Sequence, residues 1–215
     1  MKIFKTLSGM ALISLAMLCL SSANAANVVS GSLWNVTEAV ANNAIPGNVP
    51  ARIGDITFSV NSPLNFFEGG VVSRQTFLND GGAFNVVQNT AGALAAPMDN
   101  GVTGSLIQFL GTVTVTTGQS FSVAHDDGLT LIIDGLTVIN APGPTAPVTT
   151  TATYTGPAGN QSFQLVYGEC CQGSAALQVN LPFTSPVGAV PEPGTMALLA
   201  TGLLAFGGVA RKRKH

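Results

Sequence analysis

The chain has 215 residues, of which 46% are hydrophobic and only 8% charged, with a formal net charge of −2. That apolar content excludes a disordered chain. Between Ala26 and Val190 nine acids face two basic residues, Arg52 and Arg74, a balance of −7 without a single lysine. Such a segment argues against nucleic acid and anionic membrane surfaces, which need clustered Lys and Arg. It favours cations, neutral sugars, or anionic glycans bridged by a cation.

Residues 1–25 read as an export signal. Lys2 and Lys5 form a basic start, Met10 to Leu20 an apolar run, and Ala23-Asn24-Ala25 a small-x-small cleavage pattern. The run is shorter than the roughly 20 residues that a membrane span needs.

Residues 26–184 are long enough for one domain with its own core. Period-two patterns place strands along them. Val28–Val36 opens the series, and Asp55–Val60 alternates after it. Leu106–Thr116 is longer, with Val113 and Val115 on one face. Phe121 and Val123, then Leu129, Leu131 and Ile133, give further apolar faces. Asp134-Gly135 is a type I′ hairpin signal between Leu129–Ile133 and Leu136–Ile139. Thr149–Thr155 is half polar. Phe163, Leu165 and Tyr167 form another face, and Ala175–Leu181 closes the set. Residues 39–50 and 79–101 read as loops. The expectation is an all-β chain, an antiparallel lectin-like β-sandwich.

The end of the chain has three parts. Residues 185–194 form a linker carrying Pro191-Glu192-Pro193, 195–210 an apolar helix, and 211–215 a basic end with Arg211, Lys212, Arg213 and Lys214. The prolines break regular structure before the helix. The basic cluster stays on the cytoplasmic side while the middle is exported. Tripeptide, apolar helix and basic end together resemble the PEP-CTERM sorting signal of exopolysaccharide-producing Gram-negative bacteria. The resemblance implies a membrane-embedded exosortase as processing partner. It also implies a transient membrane association through the helix, and delivery to the cell surface or an extracellular, biofilm-type matrix.

The segment 118–181 carries the chemistry. It contains His125-Asp126-Asp127-Gly128, the Asp134-Gly135 hairpin, Phe163–Glu169 with Tyr167, and Gly173-Ser174-Ala175-Ala176-Leu177. Strand, Asp-Asp-Gly, strand, hairpin, tyrosine strand and Gly-Ala-Leu strand resemble, in that order, the protective-antigen-type β-sandwich of flocculins and GLEYA adhesins. The resemblance implies a carbohydrate-binding or adhesion module, often with calcium held by Asp126 and Asp127 across a cis peptide. In those adhesins a later loop adds an asparagine. The matching loop here, Gly168–Gly173, has none, and leaves Glu169 or Gln172 as a further ligand. Hard, closely spaced oxygens suit calcium. Two readings of Asp126-Asp127 stay open: a calcium site, or a turn capped through backbone N–H groups.

Cys170-Cys171 is the thiol pair left after signal removal, in an oxidising compartment. Three states are open: a vicinal disulfide, bridges to a second chain, or two reduced thiols. Enzyme chemistry is disfavoured. Adjacent carboxylates are poorly placed for the separation of about 5–9.5 Å that glycosidases use, and no nucleophile elbow is present. The expected function is non-enzymatic: a calcium-dependent glycan-binding module, exopolysaccharide being one candidate ligand. The alternative is a structural matrix component without a ligand. Trp34, Tyr154 and Tyr167 are the candidate sugar-stacking aromatics, with Trp34 and Tyr167 read as core. Asp127→Asn is expected to abolish calcium binding without unfolding the domain.

Overall fold

The computed structural model describes residues 27–181. The expected signal segment at 1–25 and the apolar helix at 195–210 lie outside the described residues. Within them, no helix is long and apolar enough to cross a membrane.

The first strand, β1 (Val28–Thr37), runs into a one-turn helix, α1 (Glu38–Ala41), and a short helical turn at Pro46–Asn48. β2 (Ile56–Asn61) and β3 (Leu64–Glu68) follow, then helix α2 (Arg74–Asp80) and β4 (Phe84–Gln88). The remaining strands are β5 (Thr103–Val115), β6 (Ser120–Asp126), β7 (Leu129–Ile133), β8 (Leu136–Ala141), β9 (Val148–Thr153), β10 (Gly159–Glu169) and β11 (Ala175–Val179).

They form two antiparallel sheets. The larger runs β4-β2-β1-β5-β10-β7-β8, and the smaller β3-β11-β6-β9. Alternation decides which side chains meet between them. Leu33, Ile107, Phe109, Leu131 and Leu165 of the large sheet and Phe66, Phe121, Val123 and Leu177 of the small one join a single buried cluster. Phe66 and Phe77 stack in it, with ring centres 4.9 Å apart. The opposite face of the large sheet is covered locally. Leu106 and Val166 bury against Ala44, with Val36, Val40 and Val49 around them. The expected antiparallel β-sandwich is therefore the observed fold.

Asp134 (φ 52°) and Gly135 (φ 74°) both have left-handed backbones, as the I′ hairpin joining β7 to β8 requires. Two expectations are corrected. The stretch 79–101 is not all loop, because it holds β4, an edge strand. β4 is weakly patterned since it pairs only with β2, across a register shift between Thr57 and Ser59. Likewise 39–50 contains the end of α1 and the helical turn. α2 is capped by Ser73, whose hydroxyl accepts the Thr76 N–H at 3.1 Å.

Candidate functional site

Two crossings between the sheets lie side by side at one end of the sandwich. β6 of the small sheet passes to β7 of the large one through Asp126-Asp127-Gly128. β10 of the large sheet returns to β11 of the small one through Cys170–Ser174. The strands are tied where Gly168 N–H donates to the Gly128 carbonyl at 2.9 Å.

On an extended strand, neighbouring side chains diverge. Here the Asp126–Asp127 peptide is cis, and both residues line one pocket of about 440 Å³. Pro144, Pro147, Cys170 and Cys171 form other walls. Gly128 is required by contact: a Cβ there would lie 2.1 Å from the Pro142 carbonyl oxygen.

Asp127 ties the loops together. Its Oδ1 accepts the Thr145 N–H at 3.1 Å, and its Oδ2 accepts the Cys170 N–H at 2.9 Å. Its backbone carbonyl accepts from His125 Nδ1 at 2.5 Å. A carbonyl can only accept, so Nδ1 carries a proton, and Nε2 is hydrogen-bonded to the Thr150 hydroxyl at 2.8 Å. Both imidazole nitrogens are thus occupied, and His125 is available neither as a catalytic base nor as a soft ligand.

Asp126 differs. Its carbonyl accepts from the Tyr167 hydroxyl, but its carboxylate makes no hydrogen bond within the described residues. Glu169 sits behind the pair, 1% exposed, with Oε2 at 2.5 Å from the same Tyr167 hydroxyl. A phenol has one proton for these two acceptors, and a protonated Glu169 supplies the second. Glu169 was expected as a further ligand, but burial and the Tyr167 contact take it off the pocket wall.

Sequence reasoning missed a fourth acid. Asp99, 2% exposed, accepts the Gly101 N–H at 2.9 Å through Oδ1 and the Gln172 N–H through Oδ2. It lies 27 residues before the motif, in a stretch read as loop, so no local pattern points to it. Its loop position beside Gly101 suits an Asx-type turn. Asn42 and Glu38, just after β1, also reach in. Glu38 Oε1 accepts the Cys171 N–H at 3.2 Å, and Asn42 Oδ1 lies 3.0 Å from Cys171 Sγ.

Four buried carboxyl groups therefore share one corner, and the sole ion pair among the described residues, Arg52–Asp55, does not involve them. The physical consequence is proton retention. Burial, then the charge of Asp127, pushes the Asp126 carboxyl up to about 6. Burial, with Asp127, Asp126 and Asp99 as neighbouring charges, pushes Glu169 up to about 9. A divalent cation would relieve this repulsion. The donor set fits a hard one: Asp126 is uncommitted, and Asp127 Oδ1 keeps a lone pair beyond its one N–H bond, while Oδ2 also accepts from Cys170 Sγ at 3.2 Å.

The two cysteines are free thiols here, their sulfurs 2.7 Å apart, with Cys170 buried and Cys171 exposed. Cys171 (φ 69°) and Gln172 (φ 56°) are both left-handed, which turns the loop back over Asp127. Asp127, Cys170 and Cys171 offer ligand atoms within 4.8 Å of one another.

The stacking candidates are all withdrawn from solvent. Trp34 donates its indole N–H to the Arg52 carbonyl at 3.0 Å, and Tyr154 its hydroxyl to the Pro157 carbonyl at 3.0 Å; both are buried, as is Tyr167. Tyr154 is thus corrected from candidate ligand contact to core. Among the described residues, an aromatic side chain that does face solvent is Phe67, 57% exposed, in a groove that shares Pro147 with the acidic pocket. Phe66-Phe67 alternation on β3 was the available signal, one ring in and one out.

Comparison with known proteins adds the following. The family described as the PEP-CTERM protein-sorting motif matches residues 189–214. That motif marks the chain for export to the cell surface or extracellular space. No curated protein matches the chain. Among solved structures it is similar to a PA14 sugar-binding domain from an RTX adhesin, at 21% identity over 73% of this chain and 89% of that one, TM-score 0.46. It is also similar to the PA14 domain of the antifreeze protein MpAFP, at 18% identity over 78% and 88%, TM-score 0.49. A third is the epithelial adhesin 6 A domain of Candida glabrata, solved with Galβ1-3GlcNAc, at 10% identity over 78% and 84%, TM-score 0.42.

Proposed function

We propose that residues 26–184 form a non-enzymatic, calcium-dependent carbohydrate-binding module, exported and then released through an exosortase acting on the tail. In this reading 185–194 is the linker, 195–210 the membrane helix and 211–215 its cytoplasmic end. One observation carries the ligand reading: Asp126 and Asp127 converge on an open pocket, backed by Asp99 and Glu169, with no cationic side chain among the described residues paired to any of the four. Buried charge of one sign is costly unless a counter-ion is supplied. Calcium supplies it and leaves coordination positions for sugar hydroxyls, since it takes 6–8 oxygens.

The roles divide. Asp126 and Asp127 are the carboxylate ligands. Glu169 stays protonated behind them, bonded to Tyr167. Pro144, Pro147 and the Cys170-Cys171 pair form the rim, with Phe67 beside it as the apolar surface for a sugar ring. Whether the pair is a vicinal disulfide or two thiols is read from the mass of the exported protein. Catalysis is disfavoured because Asp127 is committed to two backbone N–H groups and His125 to two partners.

The test is glycan binding by the exported domain with calcium and with chelator, starting with the producing cell's own exopolysaccharide. Retention in calcium that is lost in chelator and in Asp126→Asn supports the reading. Equal retention under all three conditions would refute the calcium dependence, and no retention under any of them returns the domain to a scaffold without ligand.

A further inference from the structure

Both cationic residues of the described chain, Arg52 and Arg74, line a second pocket of about 200 Å³, together with Asn35, Asp55, Thr90 and Ala91. The two arginines are held differently. Arg52 reaches solvent and pairs with Asp55 through two bonds, at 2.7 and 2.9 Å. Asp55 is then saturated, because it also accepts the Thr90 hydroxyl at 2.5 Å and the Asn35 N–H at 2.8 Å. The Arg52 guanidinium first, and these donors after it, hold its carboxyl down at about 2. As a pair, Arg52 and Asp55 are neutral.

Arg74 is 1% exposed. It donates from Nε to Ser105 Oγ at 2.9 Å and from Nη2 to Asn35 Oδ1 at 2.7 Å. Both acceptors are uncharged. Nη1 makes no hydrogen bond within the described residues, and no carboxylate pairs with this guanidinium; Asp55 acts on it only at longer range. Arg74 Nη1 is not a buried orphan, so it meets solvent at the pocket. A guanidinium without a carboxylate partner that opens on a cavity can take an anionic acceptor there.

We propose that this pocket binds a carboxylate, either of a small organic acid or of a uronic-acid residue in an acidic glycan. The charge balance selects a monoanion: one uncompensated positive charge at Arg74 and one nitrogen left to donate. A carboxylate oxygen is a charge-assisted acceptor for that nitrogen. Of the nine carboxyl residues among the described residues only Asp55 lines this pocket, and it is paired with Arg52, so Arg74 keeps its charge for an incoming anion. Ser105, which holds Arg74, is the cross-strand partner of Glu169. The pocket thus opens one strand away from the acidic corner, and needs no calcium.

The test uses the full chain in detergent, stripped of metal by a chelator that is then removed, at constant ionic strength. Acetate, glucuronate and methyl glucoside are titrated in turn by calorimetry. Saturable binding of glucuronate, with none of methyl glucoside, is expected. Acetate binding as well assigns the site to carboxylates in general, and glucuronate alone assigns it to sugar acids; both support the proposal. Arg74→Gln should weaken binding at least tenfold. Because that change also removes the bonds to Ser105 and Asn35, Ala91→Phe is its companion: it fills the mouth from an exposed position and should weaken binding equally. Asp126→Asn should leave it unchanged, which separates this site from the calcium reading. No saturable binding of either acid, equal binding of all three compounds, or affinities untouched by both pocket variants would overturn the proposal.

Discussion

Replacing Asp126 and Asp127 by asparagine, one at a time, should move the stability of the metal-free domain in opposite directions. Asp126 is ionised at pH 7 although burial and Asp127 raise its carboxyl from 3.8 to about 6. Holding that charge costs roughly 1–2 kcal/mol once screening at the pocket mouth is allowed for. An amide at this position removes the charge and strands no hydrogen bond, so Asp126→Asn should raise Tm. Asp127 is the acceptor for the Thr145 and Cys170 N–H groups. An amide there keeps one oxygen and turns an NH₂ toward the other donor, at a cost of about 1.5–3 kcal/mol. For a domain of this size one kcal/mol moves Tm by about 2–4 °C. The expected shifts are therefore about +2 to +8 °C for Asp126→Asn and about −3 to −12 °C for Asp127→Asn. Differential scanning calorimetry in metal-free buffer at pH 7 measures both. At pH 4 the gain from Asp126→Asn should vanish, since the wild-type carboxyl is then protonated. A fall in Tm for Asp126→Asn, or shifts of the same sign in both variants, would refute the assignment of charge strain to one aspartate and loop-tying to the other. Asp126→Asn is thus the cleaner probe of metal binding, because Asp127→Asn is expected to lower the stability of the folded domain as well.

Three further outcomes are expected. Asp126 and Glu169 have raised folded pKa values, so the metal-free fold holds extra protons and loses stability as pH rises, from about 4 through 6 for the first and toward 9 for the second. Asp55 has the opposite sign, its contribution being lost as pH falls from 3.8 toward 2; a metal-free Tm profile should therefore peak near about pH 4–5, and a maximum above about pH 7 would contradict it. Gly128→Ala places a methyl 2.1 Å from the Pro142 carbonyl oxygen and should cost about 1–3 kcal/mol in a urea titration; an unchanged midpoint would mean that the loop is not packed there. Tyr167→Phe removes the hydroxyl shared by Glu169 and the Asp126 carbonyl. It should cost about 1–3 kcal/mol by the same titration, and an unchanged midpoint would mean that the buried network holds nothing in place.

Much of this molecule was legible residue by residue. Apolar residues at period two marked the inward faces of β5, β7 and β10, each of which has hydrogen-bonded neighbours on both sides, while burial of the opposite face of β5 and β10 under residues 36–49 left no such signal. Asp134-Gly135 specified its hairpin through backbone conformation alone. β4 was hidden for the converse reason: an edge strand with one partner is under weak patterning pressure. The site was legible only in part. Asp126-Asp127-Gly128 is contiguous and could be found, whereas Asp99, Asn42 and Thr145 reach it through the sheet topology, from 27, 84 and 18 residues away from Asp126 or Asp127. Tyr154 misled because period two does not distinguish a strand's exposed end from one folded over by the Pro157 turn.

Whether the acidic corner holds calcium is tested most directly by isothermal calorimetry of metal-stripped residues 26–190 with calcium chloride, beside Asp126→Asn. One-site binding is predicted in the wild type, weakening as pH falls through about 6, where protons compete for Asp126, with no binding in the variant. Absence of binding at about pH 7.5, well above the range where protons compete, or equal binding by both proteins, would contradict it.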